Sequence, residues 1–550
     1  GSGVRLNFIP REGGNSFSGI LISSFTNAGM AGDNFTQELR NRGLRTPNNV
    51  KKSGEINVAY GGPIRRDRLW FFGTVLYNRT QNWVAGMLVN RNAFSPTSFA
   101  YDPDPDQPAF TGVLTRNGAG RVTWQVNSTH KLAFAYENTY TCQCSTATTA
   151  IVSAESGLPQ RYWPNGGWNV DWTAPLTSRL LLEGVIYHRF INSWRTHPFG
   201  LPDVGDTIED IVAYNVDAIS KNLIGVQDQA LGITHHATTA SNLRNKSHDT
   251  PFRATLSYVT GAHSYKFGIS NNIGRKQNVV MNFDAPYWYR FNNGVPNLIT
   301  MNATPFVQLA HLDADLGVYL QDRWSIKRAT VSYGLRYDHF ASSFPEQRIG
   351  PAALVPNRNF TLPATDGISW HDISPRAGIA YDLFGTGKTA LKGSFGKYVA
   401  GQALRGNDAT VIFGDGLNPA QRVVTSATRS WNDANVNFRP ECDLLSFGAN
   451  GECGPLSNTD FGSLRPGRTY DPEILRGWGK RMYSWQFSAG VQHEVIDRMS
   501  VEFSYFRRVY GNFNVVDDRA RAASDFDVFS ITAPSDPRLP DGGGYTIGGL

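Results

Sequence analysis

Several short patterns in this chain hold the residue types that chemistry needs, and each sets a requirement on its neighbours. Gly385-Thr386-Gly387-Lys388-Thr389 offers backbone amides, an ammonium group and a hydroxyl, the parts that cradle a phosphate. A phosphate loop also needs a glycine four residues ahead of the Gly-Lys pair, and Asp382 stands there. The segment joins two strand-like runs, not a strand and a helix, so it reads as a hairpin turn. Asp433, Asn435 and Asn437, followed by Glu441 and Asp443, space oxygen side chains much as a calcium loop does. Phe438 takes the place of the glycine that the sharp turn requires, and Leu444 that of the closing glutamate. Asp433, Asn435, Asn437 and Asp443 are thus candidate ligands for a structural Ca2+, with an Asx-rich turn as the plainer reading. No other cofactor is expected.

The four cysteines form two local pairs. Cys442 and Cys453 bracket a segment with an Asn450-Gly451 turn, and a disulfide is expected there, stabilising the loop by roughly 3 kcal/mol in the chain-entropy picture. Cys142-Gln143-Cys144 leaves little room for a bridge, so a pairing across loops and two free thiols both stay open. Loop cysteines without a CxxC…CxxC or Cys/His set point to an oxidising compartment, not to zinc. His235-His236 and the scattered carboxylates form no nucleophile–base–orienter set, and Gly-x-Ser-x-Gly is missing, so an enzyme is not expected. The candidate ligand contacts are aromatic: Tyr162 and Trp163 with Trp168, and Tyr287-Trp288-Tyr289 with Arg290 beside them. Aromatic faces suit sugar rings or hydrophobic chelates, and self-packing of long loops is the competing reading.

These residues must be held by strands. Tyr483–Val495 sets Trp485, Phe487, Ala489, Val491 and Val495 against Ser484, Gln486, Ser488, Gly490, Gln492 and Glu494. In Leu312–Trp324, Leu312, Ala314, Leu316, Val318 and Leu320 oppose Asp313, Asp315, Tyr319, Gln321 and Arg323. Val331, Tyr333, Leu335 and Tyr337 alternate with Ser332, Gly334, Arg336 and Asp338, and Tyr265, Phe267 and Ile269 with Lys266, Gly268 and Ser270. Runs of roughly ten residues with period two suit tilted strands that cross a bilayer. Helical periodicity is confined to Asn34–Arg42.

Tight polar turns recur at Arg65–Arg68, Asn127–His130, Leu176–Arg179, Thr260–His263, Ile326–Arg328, Gly385–Lys388 and Ile496–Arg498, each between two alternating runs. Between these hairpins lie long segments, 81–110, 195–249, 275–311 and 401–480 among them. Short turns at one end and long loops at the other are the asymmetry of outer-membrane barrels, and connections so long count against compact soluble folds. Trp70, Phe71, Trp124, Trp324 and Phe384 beside the tight turns suit an interfacial girdle.

Composition agrees. Gly is high at 55, aromatics are 12%, charge is only 18% and mean hydropathy is −0.34, a mixture expected when residues alternate between lipid and water. No stretch approaches the roughly 18 apolar residues of a transmembrane helix, which leaves a closed barrel possible. The +6 charge is scattered singly along strands and turns, so no nucleic-acid partner is expected. The fold class is therefore all-β, a transmembrane antiparallel β-barrel with about 15 strands, short periplasmic turns and long extracellular loops. Bacterial single-chain barrels close with an even count, and the chain trails off after Pro534, so residues 16–550 are expected to be a partial barrel, incomplete at the C-terminus.

The opening Leu6-Asn7-Phe8-Ile9-Pro10-Arg11-Glu12-Gly13-Gly14-Asn15-Ser16-Phe17-Ser18-Gly19 resembles the plug-to-barrel junction of TonB-dependent receptors, where the last plug strand passes through a Gly-Asn turn into the first barrel strand. Tyr60-Gly61-Gly62-Pro63-Ile64-Arg65-Arg66-Asp67-Arg68-Leu69-Trp70-Phe71-Phe72-Gly73 resembles that family's first periplasmic hairpin, most closely in its Oar-like group. The resemblance implies that residues 1–15 end a plug domain, and that the complete receptor has about twenty-two strands around that plug. It implies energised uptake of a scarce nutrient (an iron chelate, cobalamin or an oligosaccharide) at the bacterial outer membrane. The implied partners are membrane lipid and lipopolysaccharide, the ligand, and a TonB energy-coupling complex engaged through an N-terminal region outside this chain. A passive porin and a surface adhesin or structural barrel are the alternatives.

Overall fold

The computed structural model describes residues 11–549, apart from 33, 45–46, 145–147, 197–204, 206, 402–416, 466–468 and 516. Fifteen antiparallel strands follow one another in chain order as a single meander. They are β1 (Ser18–Asn27), β2 (Asn49–Arg65), β3 (Leu69–Asn90), β4 (Pro103–Gln125), β5 (Lys131–Gln143), β6 (Gln160–Pro175), β7 (Leu180–Arg195) and β8 (Ser241–Thr260). They continue with β9 (His263–Asn282), β10 (Phe306–Ile326), β11 (Ala329–Phe344), β12 (Thr365–Asp382), β13 (Thr389–Val399), β14 (Tyr483–Ile496) and β15 (Met499–Gly511). All seven expected tight turns join strand pairs at one end, and the long connections gather at the other. Among the described residues β1 pairs only with β2, and β15 only with β14.

The turn chemistry explains the hairpins. At the β12–β13 turn the Asp382 carboxylate accepts from the amides of Gly385 (3.0 Å) and Gly387 (2.9 Å), both at positive φ. The amides that could have cradled a phosphate are thus held by the chain's own carboxylate. At the β2–β3 turn Asn15 Oδ1 accepts from the Asp67 amide (2.9 Å) and from Trp70 Nε1 (2.8 Å).

Five expectations need correction. Every strand but β1 is longer than ten residues, β3 reaching 22 and β4 23, because the interstrand ladder satisfies the backbone in water as well as in lipid. They therefore run into segments expected as loops. The helix expected over Asn34–Arg42 is shorter, Gln37–Asn41, capped by Thr36. A longer helix, Ile208–Ser220, stands inside a segment expected as loop. Thr207 caps it in a reciprocal box with Asp210, and its buried face, Ile211, Asn215 and Ala218, carries an asparagine that breaks the apolar stripe a sequence reader looks for. Finally, a register shift between Leu312 and Ala314 turns Leu312 away from the Leu316 face and packs it with Phe340, Ile368 and Trp370. Trp70 likewise leaves the girdle to bond Asn15.

The long loops do not hang free. Ser426–Ser430, Val295–Asn302, Tyr287–Asn292, Val226–Asp228 and Ile233–His235 form a second, five-stranded sheet in that order. Its core joins Phe99, Ile224, Tyr289, Ile299, Leu354 and Trp431, drawn from five different interstrand connections. The loops therefore make one packed cap with an apolar interior.

Candidate functional site

Register propagates one face around the wall. Arg121 of β4 pairs Asp171 of β6 at 3.0 Å, and Glu12 bridges Arg121 (3.2 Å) and Lys131 (2.5 Å). These charged side chains mark the inner face. The outer face carries the ring group Phe17, Tyr60 and half-buried Phe71, and then Phe134, Tyr136, Phe252, Leu320 and Phe487, all but Phe71 substantially exposed. An apolar outer face and a charged inner one are what lipid on one side and water on the other demand.

On β8–β12 the inner face is cationic. Arg253, Lys266, Arg323, Arg336 and Arg376 line a cavity of about 980 Å³ with Tyr319 and a set of serines. Small residues let the long side chains lie flat on the wall. A Cβ on Gly317 would fall 1.8 Å from Arg336 Nη2, and one on Gly268 would fall 2.4 Å from the Tyr319 ring. Arg336 Nε meets Asp338 Oδ1 at 2.7 Å, and Arg376 lies over the Tyr398 ring at 4.4 Å. Arg253, Lys266 and Arg323 form no ion pair among the described residues. The β4–β6 sector is neutralised by Glu12 and Asp171, whereas this one presents unbalanced positive charge to whatever fills the cavity.

The structure separates the sequence-predicted contacts. Tyr162 pairs with Thr141 and Ser193 on the inner face. Trp163 packs edge-on to Tyr140, and Trp168 stacks on His188 at 5.7 Å, both on the outer face. Those two tryptophans thus meet the membrane side, because a register shift between Tyr162 and Asn165 sets the alternation there. Tyr287 and Tyr289 are buried in the cap core, Tyr289 at 4.5 Å from Trp431. Burial pushes the Tyr287 hydroxyl up to about 12 and that of Tyr289 well above its ordinary value. Trp288 is half-buried, and Arg290 donates to Asn297 Oδ1 at 2.9 Å. For Tyr287 and Tyr289 self-packing of the loops prevails over ligand contact.

The calcium-like segment also spends its oxygens internally. Asp433 accepts from the amides of Asn437 and Phe438, Asn435 from Asn437, Asn437 from Arg439, and Asp443 from Leu445. Val436 and Phe438 take positive φ in place of a glycine. Among the described residues no group of three or more His, Cys, Asp or Glu gathers as a metal site. The expected Cys442–Cys453 disulfide is present, and Cys142 is bonded to Cys144, which closes the question left open by their spacing.

Sequence reasoning missed two features. The inner cations were visible only singly, at polar positions of alternating strands. One basic residue on the same face of successive strands is the signal that would have collected them. Arg429 was missed outright. It is buried in the cap and donates to the carbonyls of Asp443, Ser446, Gly448 and Gly454.

A strand meander lipid-exposed on one face and charged on the other defines an outer-membrane barrel wall, and the chain belongs to the outer membrane beta barrel domain family, whose family model matches residues 88–509. It is similar to the TonB-dependent transporter Oar of Myxococcus xanthus, at 21% identity over 94% of this chain and 53% of that protein. The chain thus spans about half the length of the curated relative it matches. Among solved structures it is similar to the ferric yersiniabactin uptake receptor FyuA of Yersinia pestis, with 10% identity, TM-score 0.46, and coverage of 90% of this chain and 55% of that one. The siderophore receptor PirA of Acinetobacter baumannii matches with 10% identity and TM-score 0.45, over 98% of this chain and 57% of that one. The protein is one of the bacterial outer membrane.

Proposed function

We propose that this chain is the wall and outer cap of a TonB-dependent receptor that takes up a scarce, negatively charged nutrient. The unbalanced inner cluster of Arg253, Lys266, Arg323 and Arg376 carries the reading. In a wet cleft walled by protein, cations of one sign raise the local concentration of anionic ligand. Iron chelates, cobalamin and oligosaccharides are the nutrient classes considered, and the cluster favours members bearing carboxylate or phosphate. A cap assembled from five connections supports a gated receptor over an open pore. Energy coupling is assigned to a TonB complex acting through the region N-terminal to the wall.

The test is uptake of labelled ferric chelate, cobalamin and oligosaccharide by a deletion strain complemented with the full-length receptor, wild type or Arg323→Glu/Arg376→Glu. Uptake of one anionic nutrient should need the receptor, collapse with the proton gradient and fall at least tenfold with the charge reversal. Receptor-dependent uptake that survives loss of the gradient would favour a passive channel. Uptake of every nutrient unchanged by the deletion would overturn transport.

A further inference from the structure

The wall has a slit. Among the described residues β12 and β13 pair from their short turn only as far as Arg376 and Gly396, after which β12 runs on from Pro375 to Thr365 while β13 stays with β14. The chain closes this slit itself. Arg476–Trp478, just ahead of β14, lies parallel to Ser369–His371 of β12, and the Gly479 amide donates to the His371 carbonyl at 2.8 Å. On the inner side Ile474 and Leu475 pack with Phe340 and Trp370, and Trp370 Nε1 donates to the Ile474 carbonyl at 2.8 Å. On the outer side Trp478 rests on the rings of His371 (5.2 Å) and Tyr337 (5.8 Å). Gly477 and Gly479 hold positive φ, which lets so short a strap cross the wall.

The strap ends in a charge pair. Arg481 reaches Asp372 at 3.2 Å, with Lys397 at 3.8 Å from the other carboxylate oxygen, and the guanidinium lies over the rings of Phe340 and Trp370. Arg481 and Asp372 are both buried. Yet among the described residues neither oxygen of Asp372 makes a hydrogen bond, and neither do Nε and Nη2 of Arg481 or the Ser374 hydroxyl. Buried charges without hydrogen bonds recover little of the cost of leaving water, so this contact holds the strap weakly. The cationic cavity begins beside it. Ser374 and Arg376, on the same inner face of β12, line that cavity, and Ser374 stands about 7 Å along the strand from Asp372. An anion seated there repels Asp372 and attracts Arg481, at a range that salt screens poorly inside a protein.

We propose that residues 472–481 are a releasable strap across the wall, and that an anion in the cavity frees it by drawing Arg481 away from Asp372. The inference rests on the reading of the cavity as the site of an anionic nutrient, and adds how its occupancy is passed outward. Release opens the wall between β12 and β13 directly above Arg376. It also slackens the connection 400–482, whose Ser426–Ser430 forms one edge of the cap sheet and whose Arg429 fastens the disulfide loop. Binding inside the wall thereby loosens the cap outside it, with Gly477 and Gly479 as the hinges.

The experiment follows hydrogen exchange of peptides 470–482 in the full-length receptor, held in phosphatidylcholine nanodiscs, with pyrophosphate or with chloride at equal ionic strength. Pyrophosphate binding is measured in parallel by calorimetry. Pyrophosphate should raise exchange at least fivefold in 470–482 and leave the β10–β11 hairpin unchanged. Asp372→Asn should exchange that fast in chloride alone, and Arg481→Met should not respond to pyrophosphate. Binding without faster exchange would overturn the strap and leave the anion site standing, whereas no binding would overturn both. Asp372→Asn exchanging as slowly as wild type in chloride, or Arg481→Met responding in full, would also overturn the strap. If a variant is not heat-modifiable, the wild-type comparison decides.

Discussion

Arg429 donates two hydrogen bonds to the carbonyl oxygen of Gly454, 3.0 Å from Nε and 2.8 Å from Nη2. The same guanidinium reaches the carbonyls of Asp443, Ser446 and Gly448, so one buried side chain fastens most of the segment between the paired cysteines. Charge-assisted bonds are each worth about 1.5–3 kcal/mol, and removing their donor leaves several carbonyls unpaired. Arg429→Ala should therefore unfasten residues 443–454, and Arg429→Lys should rescue little because an ammonium lacks the fork. Hydrogen exchange of peptides from this segment should rise at least tenfold in both variants. Unchanged exchange in Arg429→Ala would refute the clamp.

The disulfide acts on the same loop by a different route. Cys453 is buried beside Trp431, and Cys442 packs against the same core. Cys442→Ser/Cys453→Ser should lower the stability of the cap by roughly 3 kcal/mol through the unfolded state. Limited proteolysis, with and without reductant, should cut wild type near this loop only after reduction. Equal cleavage before and after would count against a stabilising bridge.

Acid should loosen the cap. Burial, reinforced by the adjacent His236, holds His235 down to about 4, and burial lowers His236 as well, against the opposing carbonyls of Ser95 and Ile224. A base whose folded value is depressed is stabilising above its unfolded value near 6.5, and that stability is lost as pH falls from there toward 4. For His235 the full effect is about 3 kcal/mol. Exchange of peptides 224–240 and 283–303 should accelerate between pH 7 and pH 4.5, and His235→Gln should flatten part of that slope. A flat profile in wild type would sink the idea.

Gly317 should prove hard to replace. Its missing side chain leaves the space in which Arg336 lies, and a methyl group there would displace the guanidinium from Asp338. Gly317→Ala should leave the barrel folded and heat-modifiable while weakening anionic ligand binding severalfold. Affinity equal to wild type would show that the Arg336 position does not matter to the ligand.

The helix Ile208–Ser220 offers a simpler measurement. Thr207→Ala removes the oxygen that accepts from the Asp210 amide at 3.1 Å, and should cost about 1 kcal/mol of local stability. Exchange in residues 208–220 reports it directly, and an increase below twofold would contradict the cap.

What the sequence determined by itself was the wall. Period-two alternation fixes which side chains share a face, and Gly, Asn and Asp chemistry fixes where the chain reverses, because both depend on residues one to five positions apart. Hence the seven hairpins and the fifteen-strand meander were legible, as was the Cys442–Cys453 bridge. Only the tertiary structure decided the rest. The inner cations come from three successive hairpins separated by long connections, so their union depends on register between hairpins, which no local pattern contains. The register shift at Leu312 and the one between Tyr162 and Asn165 moved side chains across the sheet for the same reason. The aromatic run Tyr287-Trp288-Tyr289 looked like a ligand surface. Partners supplied by Phe99, Trp431 and Phe461 made Tyr287 and Tyr289 core instead, since burial is a property of what arrives from elsewhere in the chain.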